Sequence, residues 1–364
     1  MPLSYIVRPI GSASTSPQRI PGAFFMSSKT WRVGTIGYGG AFNMGKTHLQ
    51  SLAKNEGFIP AAVCDADASR TLVAEQDFPG IQRYTKVAEM LAKAKLDLVI
   101  IITPHDSHAD LAVQCLNAGV GVVVEKPMAI TTAEVTRMVE TAKKKKRFLS
   151  TFHNRRWDGD YLALQKLIAE GVIGRVHRID AGFYGYGEQG TWWRSNKKIS
   201  GGALYDWGAH FTDWILGVVP SPVVSVSGFQ HKNPAWKKYD NEDHSEAHYR
   251  FKDGTLATLT ISNLAMVERP RWTILGEKGS IVHNNGWGEN DFWIVKTIIN
   301  GRTYETKAKF EKSDWDGYYR NVAAHLSKGE KLSVTPESAA RVIAALHSAD
   351  VSAHQAGKPV VPKF

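Results

Sequence analysis

Short apolar segments alternate with helix-patterned segments along the first part of the chain. Strands that are covered by helices on both faces are apolar throughout, so this alternation predicts a parallel, doubly wound α/β sheet of the Rossmann type. The predicted strands are Trp31–Ile36, Pro60–Cys64, Gln82–Tyr84, Leu96–Ile102, Gly121–Val124 and Phe148–Phe152. The predicted helices between them are Met44–Lys54, Ser69–Gln76, Val87–Ala94, Ser107–Ala118 and Thr132–Lys145.

The pattern changes after about residue 153, where strands dominate. Turn sequences at 252–255 and 276–279 predict hairpins. A run of strands after an alternating region predicts a separate α+β domain with a large, mainly antiparallel open sheet. Its predicted strands are Arg175–Tyr184, Val223–Phe229, His244–Phe251, Thr255–Ser262, Arg271–Gly276, Ser280–His283, Asp291–Thr297 and Arg302–Thr306. Helices at Tyr161–Glu170, Trp315–Ser327 and Pro336–Ala356 complete it, the last of them available to pack on the first domain.

This interpretation divides the chain into three parts. Residues 1–29 form a leader, 30–153 a dinucleotide-binding Rossmann domain and 154–364 a substrate-binding α+β domain. The segment Met1–Phe25 is rich in Ser, Pro and Gly without periodicity, so we expect it to be weakly ordered. It lacks the basic start and continuous apolar core of a secretory signal.

Composition narrows the class of protein. The 364 residues are 43% hydrophobic and 22% charged, as is typical of a globular enzyme. No run approaches the roughly 18 apolar residues that span a membrane. The two cysteines, Cys64 and Cys115, lie in apolar segments and form neither a disulfide framework nor a metal-binding pattern. We therefore expect a cytoplasmic protein without a membrane partner.

The net charge of +10 raises the question of an anionic partner. The one dense basic run, 143–147, ends a predicted helix, where cations suit the helix dipole and point into water. No interleaving of basic and aromatic residues accompanies the charge, which argues against a nucleic-acid partner. An anionic cofactor or small substrate explains the charge more simply.

A glycine-rich turn joins the first predicted strand to the first helix. Glycines there let backbone N–H groups approach a pyrophosphate, although the last glycine, Gly45, is displaced from a strict G-x-G-x-x-G spacing. Asp65 ends the second strand, where a carboxylate accepts the ribose hydroxyls and repels a 2′-phosphate. This favours NAD, while the nearby Arg70 keeps NADP open. The predicted cofactor residues of this region are Gly37, Gly39, Gly40, Phe42, Asn43, Met44, Asp65 and Arg70.

Two further crossovers leave the same edge of the predicted sheet, where a doubly wound fold binds its ligand. Thr103 and Pro104 are expected beside the nicotinamide half, and His108 is either a cofactor neighbour or a helix residue bonded to backbone. Glu125 and Lys126 directly follow an apolar strand, so Lys126 should emerge in the crevice. A cation there hydrogen-bonds a substrate oxygen and stabilises a developing alkoxide.

A third element follows the pair Gly201–Gly202. If the segment is helical, Asp206, His210 and Asp213 share one stripe by their i, i+4, i+7 spacing. His210 is then the expected general base, and Asp206 fixes its tautomer or shares the substrate hydroxyl. No second His or Cys completes a ligand set, so no metal is expected.

These motifs together resemble the Gfo/Idh/MocA oxidoreductases. The glycine turn, Glu125-Lys126-Pro127, the Gly201-Gly202…Asp206…His210 segment and the domain order carry the resemblance, which extends from about Thr30 to the C-terminus. It implies that Lys126, Asp206 and His210 take the catalytic positions and that Glu125 and Lys126 lie beside the nicotinamide ribose. It also implies an open-sheet C-terminal domain and assembly as a dimer or tetramer.

Substrate contacts are expected from two further segments. Arg155 lies in the segment 153–158, which resembles a family segment that leads towards the active site, and it is expected to bind substrate oxygens or a cofactor edge. Arg156 is expected to pair with Asp158 or Asp160. Trp193 and Arg194 precede the double glycine, and the indole offers a stacking face for a sugar ring, although it is as well suited to filling the domain interior.

The leading functional hypothesis is an NAD(P)-dependent dehydrogenase of a sugar, cyclitol or sugar derivative. Its substrate would bind to Lys126, Arg155, Trp193, Arg194, Asp206 and His210. Two alternatives remain: an enzyme that uses bound NAD for transient oxidation and gives net hydrolysis or epimerisation, and a non-catalytic sensor of a dinucleotide or sugar.

Overall fold

The computed structural model describes residues 29–40, 42–283 and 291–364, so the predicted leader Met1–Phe25 lies outside the described residues. The strands of the first sheet are β1 Trp31–Ile36, β2 Phe58–Cys64, β3 Gln82–Tyr84, β4 Leu98–Ile101, β5 Gly121–Val124 and β6 Leu149–Thr151. The helices around it are α1 Met44–Ala53, α2 Ala68–Asp77, α3 Val87–Lys93, α4 His108–Asn117 and α5 Thr132–Lys145. Every pair of neighbouring strands is parallel, in the spatial order β3-β2-β1-β4-β5-β6.

The sequence of this domain explains its elements directly. All four residues of β5 are buried, and each buried valine contributes roughly 1.5–3 kcal/mol relative to exposure. Helix α5 begins with a capping box, in which Thr131 and Glu134 bond each other's backbone N–H groups, and it ends in the basic run predicted to lie there. The strand order places a topological switch point between β1 and β4, whose carboxyl ends open towards a ligand crevice.

The second sheet has eight strands in the order β14-β13-β12-β11-β7-β10-β9-β8. Its neighbouring strands are antiparallel except for the parallel pair β7 and β10. The predicted fold class, a Rossmann domain followed by an open and mainly antiparallel sheet, is confirmed. Its strands are β7 Val176–Tyr184, β8 Val223–His231, β9 His244–Phe251, β10 Leu256–Ser262, β11 Trp272–Gly276, β12 Gly279–His283, β13 Phe292–Ile299 and β14 Arg302–Lys309. Its helices are α6 Gly159–Ala169, α7 Lys197–Ser200, α8 Trp207–Val218, α9 Asp316–Lys328 and α10 Pro336–Ala353.

The last two helices contact both domains. Helix α10 packs on β8 so closely that a Cβ on Gly228 would lie 1.9 Å from the carbonyl oxygen of Ala349. The same helix contacts α5 and β6, while α9 packs on α1. Within the described ranges, no helix has the length and apolar character needed to cross a membrane.

Candidate active site

A cavity of about 1080 Å³ opens at the carboxyl edge of the first sheet, between the two domains. Strand ends β1, β4 and β5 supply one side, and side chains from the second domain supply the other. Most of the predicted site residues line it, namely Gly37, Gly39, Phe42, Met44, Asp65, Thr103, Pro104, Glu125, Lys126, Arg155, Trp193, Arg194, Asp206 and His210. The cavity is large enough for a dinucleotide with a small second ligand.

The glycine turn leaves backbone open to this cavity. Gly37 has a φ of +92°, and a Cβ there would lie 2.6 Å from the carbonyl oxygen of Ile102. At Gly39, by contrast, an added Cβ would meet no atom of the described residues within 4 Å. A tight turn with open space above its second glycine is the cradle that a pyrophosphate requires, so these residues fit the predicted dinucleotide.

Asp65 holds the turn as well as facing the cavity. Its Oδ2 accepts a hydrogen bond from the backbone N–H of Tyr38 at 2.7 Å, and its Oδ1 accepts from that of Asp67 at 2.9 Å. Each carboxylate oxygen retains a lone pair for a ribose hydroxyl. Arg70 lies beside the same turn, since a Cβ on Gly40 would be 2.5 Å from its Nη1. A carboxylate therefore lines the cavity where an adenosine ribose would lie, and a guanidinium stands beside the same turn.

Four of the predicted cofactor residues, Gly40, Asn43, Arg70 and His108, are not among the residues that line the cavity, and their contacts with a cofactor stay predictions. Gly40 lies under the guanidinium of Arg70. Asn43, with a φ of 49°, begins α1, and its carbonyl accepts bonds from Thr47. The ring nitrogens of His108 each lie 2.9 Å from a carbonyl oxygen, one of Thr103 and one of Pro127. Gly40, Asn43 and His108 thus shape the chain beside the cavity.

A series of hydrogen bonds through Glu125, His48 and Tyr319 supports the backbone of Lys126. Glu125 accepts a bond from the Lys126 backbone N–H at 2.8 Å through Oε2, while its Oε1 accepts from Nε2 of His48 at 3.0 Å. Nδ1 of His48 lies 2.6 Å from the hydroxyl of Tyr319 on α9. Burial raises the pKa of Glu125, but His48 and Lys126 lower it by more, so the pKa falls below its usual value.

One carboxylate oxygen holds two cations at the centre of the cavity. Oδ1 of Asp206 accepts from Nζ of Lys126 at 2.6 Å and from Nη1 of Arg194 at 2.9 Å. Burial raises the pKa of Asp206, but the positive charges of Lys126 and Arg194 outweigh it, so the pKa lies well below its usual range. Asp206 is therefore a fixed anion that positions Lys126, and it is not a proton acceptor.

His210 faces the cavity with a neutral ring. It is 5% exposed, and burial lowers its pKa well below the usual value, an effect to which the charges of Lys126 and Arg155 add. Within the part of the chain that the structure describes, its Nδ1 has no hydrogen-bond partner. A neutral imidazole is the form that takes a proton, so His210 is able to act as a base at neutral pH.

The prediction of one stripe carrying Asp206, His210 and Asp213 is wrong. Gly201 and Gly202 have positive φ values, and α8 begins only at Trp207, so Asp206 precedes the first helical turn. Asp213 is on α8 but binds the guanidinium of Arg156 through two bonds of 2.7 and 2.6 Å. The expected pairing of Arg156 with Asp158 or Asp160 is also wrong, because Asp213 takes that place.

Aromatic rings and arginines build the outer wall. Arg194 lies 4.9 Å from the ring centroid of Trp193 and 5.2 Å from that of Phe42, which belongs to the glycine turn. Arg155 lies 4.7 Å from the centroid of Trp207 and is bonded to Asp158 at 2.8 Å. Indole faces held by guanidinium groups give a rigid surface with polar edges, which suits a ring that carries hydroxyls.

Several lining residues were not singled out from the sequence, among them His105, Asn154, Trp207, Trp315 and Asp316. His105 directly follows Pro104 in a crossover already assigned to the ligand edge, so its position was a usable signal. Trp315 had no such signal, because it reaches the cavity only through the packing of α9 on the first domain. In the described ranges, no group of three or more His, Cys, Asp or Glu side chains is arranged to hold a metal ion.

Comparison with known sequences places this site in a family. The profile described as an oxidoreductase family with an NAD-binding Rossmann fold matches residues 31–153. The profile of the GFO/IDH/MocA C-terminal domain matches residues 161–282. The chain belongs to the GFO/IDH/MocA oxidoreductases. The resemblance inferred from Glu125-Lys126-Pro127 and the Asp206…His210 segment is thereby confirmed, and the chain is an oxidoreductase of an NAD-binding family.

Individual relatives agree with this assignment. The chain is 28% identical over 305 residues to scyllo-inositol 2-dehydrogenase (NADP(+)) IolW of Bacillus subtilis, covering 77% of this chain and 83% of that protein. It is 32% identical over 253 residues to the uncharacterized oxidoreductase YdgJ of Escherichia coli, covering 69% and 70% of the two chains. The crystal structure of an NAD-binding protein from Listeria innocua superposes with a TM-score of 0.78 at 25% identity, over 92% of this chain and 97% of the other.

Proposed function

We propose that this GFO/IDH/MocA oxidoreductase oxidises a secondary hydroxyl of a sugar or cyclitol, with Lys126, Asp206 and His210 around the reacting oxygen. The observation that carries the proposal is the bond of 2.6 Å from Nζ of Lys126 to Asp206, because it fixes an ammonium in the cavity that the glycine turn also lines. An ammonium and a neutral imidazole facing one space are the two groups that alcohol oxidation requires.

The dinucleotide would be held by residues of the first domain. Backbone at Gly37 and Gly39 would receive the pyrophosphate, Asp65 the ribose, and Thr103 and Pro104 the nicotinamide end. The bound nicotinamide supplies the acceptor for the hydride that leaves the substrate carbon. The relative named scyllo-inositol 2-dehydrogenase is described as using NADP(+), so both cofactors belong in the assay.

The protein's own residues divide the proton chemistry between them. His210 takes the proton of the substrate hydroxyl, because its lowered pKa keeps the ring neutral at neutral pH. Lys126 donates a hydrogen bond to the same oxygen and stabilises the charge that develops on it. Asp206 keeps the ammonium aimed at that oxygen. Arg155 and the rings of Trp193 and Trp207 surround the rest of the substrate.

The cavity walls and the relative both support this substrate class. Guanidinium groups and indole rings alternate around the second half of the cavity, which fits a polyhydroxylated ring better than an apolar one. The name scyllo-inositol 2-dehydrogenase makes inositols the first compounds to test.

We also propose a homodimer or homotetramer, in which the outer face of the eight-stranded sheet, with the exposed Phe229, meets a second copy. Light scattering measures that state.

The test is oxidation of inositols, aldoses and other polyols with NAD⁺ or NADP⁺. The reaction is monitored through the absorbance of the reduced nicotinamide. Lys126→Met and His210→Ala should each abolish turnover while NADH still binds, because both act on the substrate oxygen. Lys93→Met is the matched control, since Lys93 lies on the surface of α3 in a pair with Glu89. Full activity in either site variant would overturn the assignment, and hydrolysis without reduced cofactor would favour transient oxidation.

A further inference from the structure

His105 is a buried histidine in the cavity wall to which no role has been given so far. It begins the short turn that follows Pro104, and its side chain is 3% exposed. Its Nδ1 lies 2.8 Å from the carbonyl oxygen of Ser200, the last residue of α7 in the second domain. Its Nε2 is buried and finds no hydrogen-bond partner among the described residues.

The bond to Ser200 fixes the tautomer of this ring. A carbonyl oxygen only accepts, so Nδ1 must carry the proton. Burial lowers the pKa of His105 to about 3, so the ring stays neutral throughout the working range of an enzyme. In that state Nε2 is an acceptor without a proton. A buried acceptor left unpaired is costly, which favours a ligand group that donates to it.

The neighbours of His105 place its ring beside the half of the cavity that would hold the substrate. Its ring centroid lies 4.8 Å from that of Trp193 in an edge-to-face arrangement. His105 lines the same cavity as Lys126 and Asp206, where the oxygen would react. Ser200 and Trp193 belong to the second domain, whereas the pyrophosphate would lie at the glycine turn.

We propose that Nε2 of His105 accepts a hydrogen bond from a substrate hydroxyl adjacent to the one that is oxidised, which makes His105 a specificity-determining residue. This inference rests on the proposed function. Because the acceptor carries no proton, the position selects for a hydroxyl and against a carbonyl, an ether or a hydrogen atom there. A site built to bond a hydroxyl rejects the analogue that lacks it far more strongly than an apolar pocket does.

Two variants test the two ring nitrogens of His105 separately. His105→Asn retains an N–H near the position of Nδ1 for the bond to Ser200 and removes the acceptor. His105→Gln places an amide oxygen near the position of Nε2 and gives up the bond to Ser200. We expect kcat/KM for the best inositol to fall about 10- to 100-fold in His105→Asn, as for a lost buried hydrogen bond, and to recover partly in His105→Gln.

Monodeoxy inositols identify the hydroxyl concerned. One of them should be a poor substrate of the parent protein and lose no further kcat/KM in His105→Asn, because the bond is already absent. The dissociation constant of NADH, measured by fluorescence, should stay within about twofold, since the cofactor does not use this acceptor. Unchanged kcat/KM in His105→Asn, or a matching loss of NADH affinity, would overturn the inference.

Spectroscopy of the ring separates this inference from the proposed function. In protein labelled with ¹⁵N-histidine, Nε2 of His105 should show an unprotonated signal that shifts when myo-inositol is added to the NADH complex. A parent protein that oxidises no polyol overturns the proposed function, and an unresponsive Nε2 signal then overturns this inference with it. An active parent whose Nε2 signal ignores the inositol overturns the inference alone.

Discussion

The two halves of the cavity are built by different means. The half that would hold the dinucleotide consists largely of backbone, with Gly37 and Gly39 leaving room for phosphate and Asp65 bonding main-chain N–H groups. The other half consists of side chains, in which Asp206 holds Lys126 and Arg194. The first half therefore depends on the conformation of one turn, and the second depends on charges brought together by the whole fold.

The largest effect should come from removing the charge that holds the second half together. Asp206→Asn keeps the shape of the side chain but leaves Lys126 and Arg194 as neighbouring cations without their shared anion. We expect kcat to fall about 100- to 1000-fold, as for a lost electrostatic contact at a reacting oxygen. Asp110→Asn is the control, because Asp110 forms an exposed pair with Arg137 and should leave kcat unchanged. Normal turnover in Asp206→Asn would show that Lys126 does not need this anion.

The half that would hold the dinucleotide is best tested with two glycine-to-alanine substitutions. Gly37→Ala should destabilise the fold by about 2 kcal/mol or more, because the Cβ meets the Ile102 carbonyl oxygen at a positive φ. Gly39→Ala should leave the free energy of unfolding nearly unchanged and instead weaken NADH binding, because its Cβ points into open space. Urea unfolding and NADH titration measure the two effects. Equal stability losses in both variants would contradict this contrast.

A smaller effect is expected on the preference between NAD⁺ and NADP⁺. Arg70 lies beside Gly40 near Asp65, where a 2′-phosphate would come. Arg70→Ala should lower kcat/KM with NADP⁺ about tenfold and change it little with NAD⁺, because the lost partner is the additional phosphate. The ratio of the two kcat/KM values is the measurement. A parallel loss with both cofactors would mean that Arg70 supports the turn rather than choosing the cofactor.

The smallest effect concerns acid pH. A histidine base with an ordinary pKa would lose activity as the pH falls through about 6.5. Burial and the charges of Lys126 and Arg155 lower the pKa of His210, so its neutral form persists below that pH. kcat/KM for oxidation should therefore stay nearly level between about pH 8 and 6.5. A midpoint close to 6.5 in that profile would contradict a lowered pKa for the base.

The same contrast explains what the sequence could predict. The turn at Gly37, the strands around it and the emergence of Lys126 follow from local periodicity, which the chain encodes over a few residues. The bond between Lys126 and Asp206 joins positions 80 residues apart, and no local pattern specifies it. Treating Asp206 as helical failed because Gly201 and Gly202 delay the start of α8.

Arg156 and His105 both show where prediction from the sequence ends, because partners from distant parts of the chain decide their contacts. Two nearby carboxylates, Asp158 and Asp160, were in reach of Arg156 by sequence, whereas tertiary packing selects Asp213, 57 residues away. For His105 the location at the sheet edge was predictable, but its tautomer depends on the carbonyl of Ser200, which arrives from the other domain. Side-chain identity thus predicts which groups are present, whereas partners at long range decide what each group does.

The series of hydrogen bonds from Tyr319 through His48 to Glu125 bears on whether the two domains fold separately. Tyr319 of α9 also stacks on Phe152, Tyr318 contacts the same ring edge to face, and the Tyr318 hydroxyl donates to Ser150 at 2.9 Å. The core of the first domain is thus completed by residues from the far end of the polypeptide. A fragment that ends near residue 153 would lack this part of its interior, so the intact protein should melt in a single cooperative transition.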